Sequence, residues 1–186
     1  MISETANNTI IGRRDFVRLI ILGAGGYGRT VADVAAQSGA YDEIVFLDDN
    51  STAPDVIDIC ANISAHLEIN THLYPAFGNN EGRISWLNRL AELGAQIPSL
   101  VHARAYVSPT AVLEDGVVVM PGAIVNTGVT VKRGCIINCG AIVDHGCVLE
   151  EGAHVCLGAI VKAENRIPRC MKIEAGEIVA NRTYPV

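Results

Sequence analysis

From Val101 onward an aliphatic residue stands at every sixth position: Val101, Val107, Leu113, Val119, Val125, Val131, Ile137, Val143, Leu149, Val155, Val161, Ile167, Ile173 and Val179. Three places later in the period runs an unbroken glycine series, Gly116, Gly122, Gly128, Gly134, Gly140, Gly146, Gly152 and Gly158. The place after that is small, as at Ala105, Ala111, Val117, Ala123, Cys135, Ala141, Cys147, Ala153 and Ala159. A period of six with one aliphatic, one glycine and one small residue is a hexapeptide β-helix repeat. Each hexad predicts one short strand and one corner. The aliphatic residue points inward and stacks on its equivalents in neighbouring coils. The small residue also points inward, near the corner, where a large side chain does not fit. Glycine takes the corner, where positive φ is expected. Three hexads close a coil, so the fourteen hexads from Val101 to Tyr184 make between four and five coils. Both ends of such a solenoid need caps.

The first half has a different rhythm. Residues 1–16 form a mostly polar N-terminal arm. Val17–Leu22 is an apolar run of strand length, followed by Gly23-Ala24-Gly25-Gly26-Tyr27-Gly28 and then Val31, Val34 and Ala35 at helical spacing up to Gly39. A second strand, Glu43–Leu47, ends in Asp48-Asp49. Residues 53–73 show no clear period. A strand near Leu73–Phe77 runs into Gly78-Asn79-Asn80, and residues 81–94 predict a helix with Gly94 as its stop. The expected organisation is the arm over 1–16, a Rossmann-like α/β domain over 17–99, and a β-helix over 100–186.

Composition narrows the classes. At 49% hydrophobic and 18% charged residues the chain is too apolar to be disordered, and with 5% aromatics its core must come from Val, Ile, Leu and Ala. A net charge of −6 argues against a phosphate-tracking nucleic-acid binder. No run of 18 apolar residues suggests a membrane span, and the first 16 residues have no signal-peptide apolar region. Six cysteines without a CxxC pair fit a reducing cytoplasm. None has a partner at metal-ligand spacing, so no metal is expected.

The second half resembles the left-handed parallel β-helix of the hexapeptide-repeat acyltransferases, and the handedness comes from that resemblance. Acyl transfer from a thioester needs a base for the attacking amine or hydroxyl. His145 lies two places after inward Val143, at an outward place beside a corner, and an imidazole titrates near neutrality. Asp144 is placed to orient its ring. The competing reading of His145 is a solvated surface histidine. In the first half, glycines before a helix let backbone N–H groups approach a pyrophosphate at the positive helix end. Asp48, at the end of the second strand, is placed to accept from a ribose or base. An NAD site and simple glycine packing are the alternatives there.

The order Asn138-Cys139-Gly140-Ala141-Ile142-Val143-Asp144-His145, with His154 nine residues on and a Gly-Ala soon after, resembles the bacterial sugar acetyltransferases of the bacillosamine N-acetyltransferase and sialic acid O-acetyltransferase group. Leu22–Gly28, Phe46–Asp49 and Phe77–Asn80 resemble that group's nucleotide-sugar-contacting segments. The resemblance implies an acetyl-CoA-dependent N-acetyltransferase of a nucleotide-linked amino sugar, with sugar O-acetylation or a non-catalytic nucleotide-sugar-binding trimer as alternatives. It implies His145 as general base, with His154, Gly158 and Ala163 at the acetyl-CoA site. Gly25, Gly26, Tyr27, Asp48, Asp49 and Gly78 then meet the nucleotide sugar, in a cytoplasmic homotrimer whose active sites lie between neighbours. Two places depart from the group. Gly146 stands where the bacillosamine enzymes have Glu, which leaves ring orientation to Asp144, and Tyr27 stands where His is common. Relatives also continue the β-helix further. Here Glu164 and Cys170 interrupt the glycine run, which implies a short donor groove with weak acetyl-CoA affinity, or one completed by the neighbouring chain. Lys162, Arg166, Arg169 and Lys172 in this segment either attract CoA phosphates or are ordinary solvated charges.

Overall fold

The computed structural model describes residues 15–186, so residues 1–14 of the expected N-terminal arm lie outside the described residues. Strands β1 (Arg18–Leu22), β2 (Glu43–Leu47), β3 (Val56–Asp58) and β4 (Thr71–Pro75) form a parallel sheet in the order β3-β2-β1-β4. Helix α1 (Gly26–Ser38) follows β1, and helix α2 (Asn80–Glu92) follows β4. β1 is central and buried on both faces, which is why Leu19-Ile20-Ile21-Leu22 is continuously apolar rather than alternating. The last sheet strand begins two residues earlier than its apolar run predicts, because the pairing with β1 starts at Thr71 opposite Arg18. The stretch without a period holds β3 and a 3-10 helix, Cys60–His66.

Fourteen two-residue strands follow, from Leu100–Val101 to Ile178–Val179, and each ends on the aliphatic residue of its hexad. They stack into three parallel sheets that form the faces of a prism. The first face carries Leu100, Val118, Ile136, His154 and Lys172 on its outside, the second Tyr106, Ile124, Ile142, Ile160 and Ile178, and the third Val112, Thr130, Val148 and Arg166. The interior is a column of aliphatic and small side chains, Val125, Val143, Val161 and Ala123, Ala141, Ala159 among them, fully buried. Glycines at the corners have φ between 64° and 72° from Gly116 to Gly158. Glu164, Cys170 and Arg182 take the same left-handed conformation without being glycine, so the coil geometry outlasts the glycine run that the sequence shows ending at Gly158. The last turn folds back over the strand Arg166–Ile167. The backbone N–H of Arg166 donates to the Tyr184 carbonyl, and buried Asn165 donates to the carbonyls of Lys162 and Ala180, at 2.8 Å each.

The two parts share an interface. Leu19, Val31, Phe46 and Tyr74 join Leu100, Val118, Met120 and Ile136 of the first face in one core cluster. On the other side, α2 lies on the corner of Gly116, Gly134 and Gly152. A Cβ at Gly134 would stand 2.4 Å from a Leu87 methyl, and one at Gly152 would stand 2.8 Å from Ile84. Glycine there serves the approach of the helix as much as the turn. The α/β domain thus packs on the first face and on the corner of Gly116, Gly134 and Gly152, while the corner of Gly122, Gly140 and Gly158 stays exposed.

Candidate active site

The sheet order places the start of both helices at one crevice. α1 leaves β1 toward β2, while β4 lies on β1's other flank, so the topological switch point falls between β1 and β4. In open α/β sheets ligands bind outside the carboxyl ends of the strands at that point. The loops there are Gly23–Gly25 and Phe77–Asn79, which bring exposed Gly25 and Gly26 together with exposed Gly78. Gly28 is required for packing, because a Cβ on it would lie 1.9 Å from the Gly23 carbonyl oxygen. Gly25 and Gly26 have open space where a Cβ would be. Gly25 is the N-cap of α1 and supplies no capping side chain, so the first-turn N–H groups stay available to an anion. α2 differs, since Asn79 caps it by accepting from the Gly82 N–H at 2.7 Å.

Asp48 braces this loop. One carboxylate oxygen accepts from the Ala24 N–H at 2.7 Å, and the other from the N–H groups of Asn50 and Ser51 at 2.8 Å. Those bonds hold its pKa below the usual carboxylate range, the Ala24 bond contributing most. Both oxygens are therefore engaged with backbone, and the geometry makes Asp48 a holder of the loop. Asp49 is exposed and accepts from the Cys60 N–H at 2.9 Å. The Tyr27 hydroxyl lies inside, 3.5 Å from that of Tyr74, and burial pushes its pKa up to about 12. The Tyr27 hydroxyl is thus turned away from a ligand in the crevice.

His145 sits at the corner between the second and third faces, with its side chain 62% exposed. Asp144 Oδ1 accepts from the His145 backbone N–H at 2.7 Å and lies 3.1 Å from His145 Nδ1. It also accepts from Asn126 Nδ2 at 3.3 Å. These bonds lower the Asp144 pKa, the His145 backbone N–H first among them, so the group is ionised at neutral pH. A carboxylate against Nδ1 fixes the proton there and leaves the Nε2 lone pair facing solvent. Asn126 escapes the motif reading, although it stands one coil of eighteen residues before Asp144. Beside this corner is an open cavity of about 410 Å³ lined by Gly146, Glu164, Arg182, Pro185 and Val186.

His154 lies on the first face, so the chain does not bring it together with His145. Asn138 Nδ2 donates to its Nε2 at 3.3 Å, and its buried Nδ1 has no partner among the described residues. Burial, with the charges of Arg83 and Lys172, pushes its pKa down to about 4. His154 is therefore neutral at pH 7, with an N–H that awaits an acceptor. A histidine held neutral in the fold but free to charge when unfolded costs stability as pH falls from 6.5 toward 4, with no further loss below that. Thermal melts across that window are expected to show a decline on the order of 2–3 kcal/mol that His154→Gln flattens. Gly158 is an exposed corner glycine whose N–H already donates to the Cys139 carbonyl. Ala163, one coil above His145, is buried and can offer a ligand only backbone. Of the basic residues of the last coils, Arg166 pairs with Glu150, Arg169 with Glu81 and Glu151, and Lys172 with Glu174. Lys162 has no ion pair among the described residues. No helix among the described residues is long and apolar enough to cross a membrane.

Residues 18–90 match the family of the PglD N-terminal domain. The acetyltransferase domain of PglB from Neisseria gonorrhoeae is 36% identical, with 89% of this chain and 83% of that one covered and a TM-score of 0.86. The same domain in complex with acetyl coenzyme A superposes with the same score. PerB from Caulobacter crescentus, in complex with CoA and GDP-perosamine, shares the fold at 20% identity and a TM-score of 0.70, with 90% of this chain and 91% of that one covered.

Proposed function

We propose, for a chain that belongs to the hexapeptide-repeat sugar acetyltransferase family and is itself an acetyltransferase, that it N-acetylates a nucleotide-linked amino sugar with acetyl-CoA as donor. The fold is the family's α/β domain followed by a left-handed parallel β-helix. The observation that carries the reading is His145 held through Nδ1 by ionised Asp144, with Nε2 directed outward. Nε2 accepts the proton of the attacking amine as the amide C–N bond forms, and returns it to the thiolate as the thioester C–S bond breaks. His154, neutral and held by Asn138, is assigned to the donor site by the family resemblance. The open end of α1 at Gly25, Gly26 and Tyr27 suits the diphosphate of the acceptor, with Gly78 across the crevice. Asp48 keeps that loop in place, and Asp49, beside it, holds the start of the 3-10 helix through the Cys60 N–H. The complex of PerB with CoA and GDP-perosamine supports the pairing of these two ligands on one fold.

Within one chain the two functions are apart. The crevice belongs to the α/β domain, over the first face. The hydrogen bonds of Asn126, Asp144 and His145 at the far corner stay within the β-helix among the described residues. The second face leaves Tyr106 and Ile178 more than half exposed, with Ile124, Ile142 and Ile160 aligned between them. Such a stripe suits contact with another copy. Both features support a homotrimer in which His145 of one chain serves an acceptor held by its neighbour. Six free thiols favour the reducing cytoplasm as its place.

The test is the chemistry of the product. With UDP- and GDP-linked amino sugars and acetyl-CoA, mass spectrometry is expected to show addition of one acetyl group that survives hydroxylamine, as an amide does. An acetyl group released by hydroxylamine is an ester and would favour O-acetylation. Binding of both ligands without any acetylated product would favour a binding protein.

A further inference from the structure

Arg83 is the largest fully buried side chain of the molecule's described part, and it is charged. It stands on the inward stripe of α2 with Leu87 and Leu90, where the helical spacing calls for an apolar residue. Its guanidinium bridges the two domains. Nε donates to the Gly134 carbonyl at 2.7 Å and Nη2 to the Gly152 carbonyl at 2.9 Å, one coil apart on the β-helix. Nη1 donates to the Phe77 carbonyl and Nη2 to Asn80 Oδ1, both at 2.9 Å. Phe77 and Asn80 flank Gly78 and Asn79, the loop on the β4 side of the crevice. All these acceptors are neutral. Among the described residues no carboxylate lies within ion-pair distance of Arg83, whereas the surface arginines Arg29, Arg166, Arg169 and Arg182 each have one. A buried charge without a counterion is expensive.

We propose that Arg83 is a positioning residue of the acceptor site: it fastens the Phe77–Asn80 loop to two coils of the β-helix and keeps an uncompensated positive charge beneath the crevice that receives a nucleoside diphosphate. The inference rests on the reading of that crevice as the acceptor site. Arg83 touches no ligand itself. It acts through the loop, by fixing its position, and through its field, by adding to the positive end of α1. The field reaches the crevice wall: the same charge opposes the burial that raises the Tyr27 hydroxyl.

Two variants separate field from fastening. Arg83→Lys keeps the charge but cannot reach four acceptors, while Arg83→Met keeps the length and removes the charge. Full-length wild type and variants, their folding checked by thermal melts, are titrated calorimetrically with UDP, with GDP and with acetyl-CoA. The expected result is a loss of at least about tenfold in affinity for the better-bound nucleotide in Arg83→Met, a smaller loss in Arg83→Lys, and acetyl-CoA binding within about twofold of wild type in both. If Arg83→Met does not fold, Arg83→Lys decides alone, with a nucleotide loss and unchanged acetyl-CoA binding as the supporting result. Unchanged nucleotide affinity in the folded variants, or equal losses for nucleotide and acetyl-CoA, overturns the inference. Wild type that binds neither UDP nor GDP overturns the acceptor reading itself, and is told apart because the variants are then not needed.

Discussion

His145→Ala is expected to lower turnover by roughly 10²–10⁴-fold while leaving the fold intact. The size follows from the role: a positioned base is worth that much in proton transfer, and no neighbouring group on the corner replaces it. The tolerance follows from the place. His145 is mostly exposed and among the described residues its side chain bonds only to Asp144, so truncation leaves no buried polar group unpaired there. Asp144→Asn keeps the shape but loses the charge that holds the proton on Nδ1, and is expected to fall between the wild type and His145→Ala. Steady-state thiol release from acetyl-CoA measures both. Wild-type rates in His145→Ala would remove the base assignment.

Gly25→Asp is expected to weaken acceptor binding strongly while slightly stabilising the protein. Gly25 is an N-cap with ordinary extended backbone, φ −71° and ψ −178°, and nothing lies within 4 Å of where its Cβ would be. Asp is among the best N-cap residues and improves on glycine by a few tenths of a kcal/mol. Its carboxylate then takes the first-turn N–H groups that the diphosphate would use. It also places like charge about 4 Å from the phosphate, worth on the order of several kcal/mol at an effective dielectric of 20. Acceptor affinity is expected to fall by about 10²-fold or more, with a melting temperature equal to or above that of wild type. Calorimetric titration with UDP and GDP beside a thermal melt reads both. Undiminished nucleotide affinity would mean that the ligand does not use this helix end.

The β-helix was legible because its rule is local. A corner that needs positive φ and an interior that admits one aliphatic and one small residue leave their mark every six positions. The same rule predicts the outward placement of His145 beside its corner. The α/β elements were legible from the apolar runs of β1 and β2 and from the glycine loop, but β3 and the 3-10 helix were not, since neither carries a repeating apolar face. What stayed hidden are partnerships between distant residues. Asp48 has the position of a ribose acceptor, and only the fold shows that its oxygens also accept from Ala24, Asn50 and Ser51. Asn126 becomes a neighbour of Asp144 only when the chain is wound into coils of eighteen residues. Arg83 reads as a surface charge on a helix until the carbonyls of Gly134 and Gly152 are seen around it. The sequence leaves the cationic tail segment as either a phosphate anchor or solvated charges, and only the fold shows Glu81, Glu150, Glu151 and Glu174 against Arg166, Arg169 and Lys172.

The shared site is tested most directly by mixing two inactive chains. His145→Ala lacks the base but keeps the crevice, and Gly25→Asp keeps the base but lacks the crevice. Each homo-oligomer alone is expected to release almost no thiol from acetyl-CoA in the presence of a nucleotide-linked amino sugar. If His145 of one chain serves the acceptor of another, random co-assembly at equal amounts pairs an intact base with an intact crevice in about one site in four. Thiol release near a quarter of the wild-type rate is then the expected result, given independent assortment of the chains. A co-assembled mixture as silent as its components would show that base and crevice must come from one chain, which contradicts a site built between neighbours.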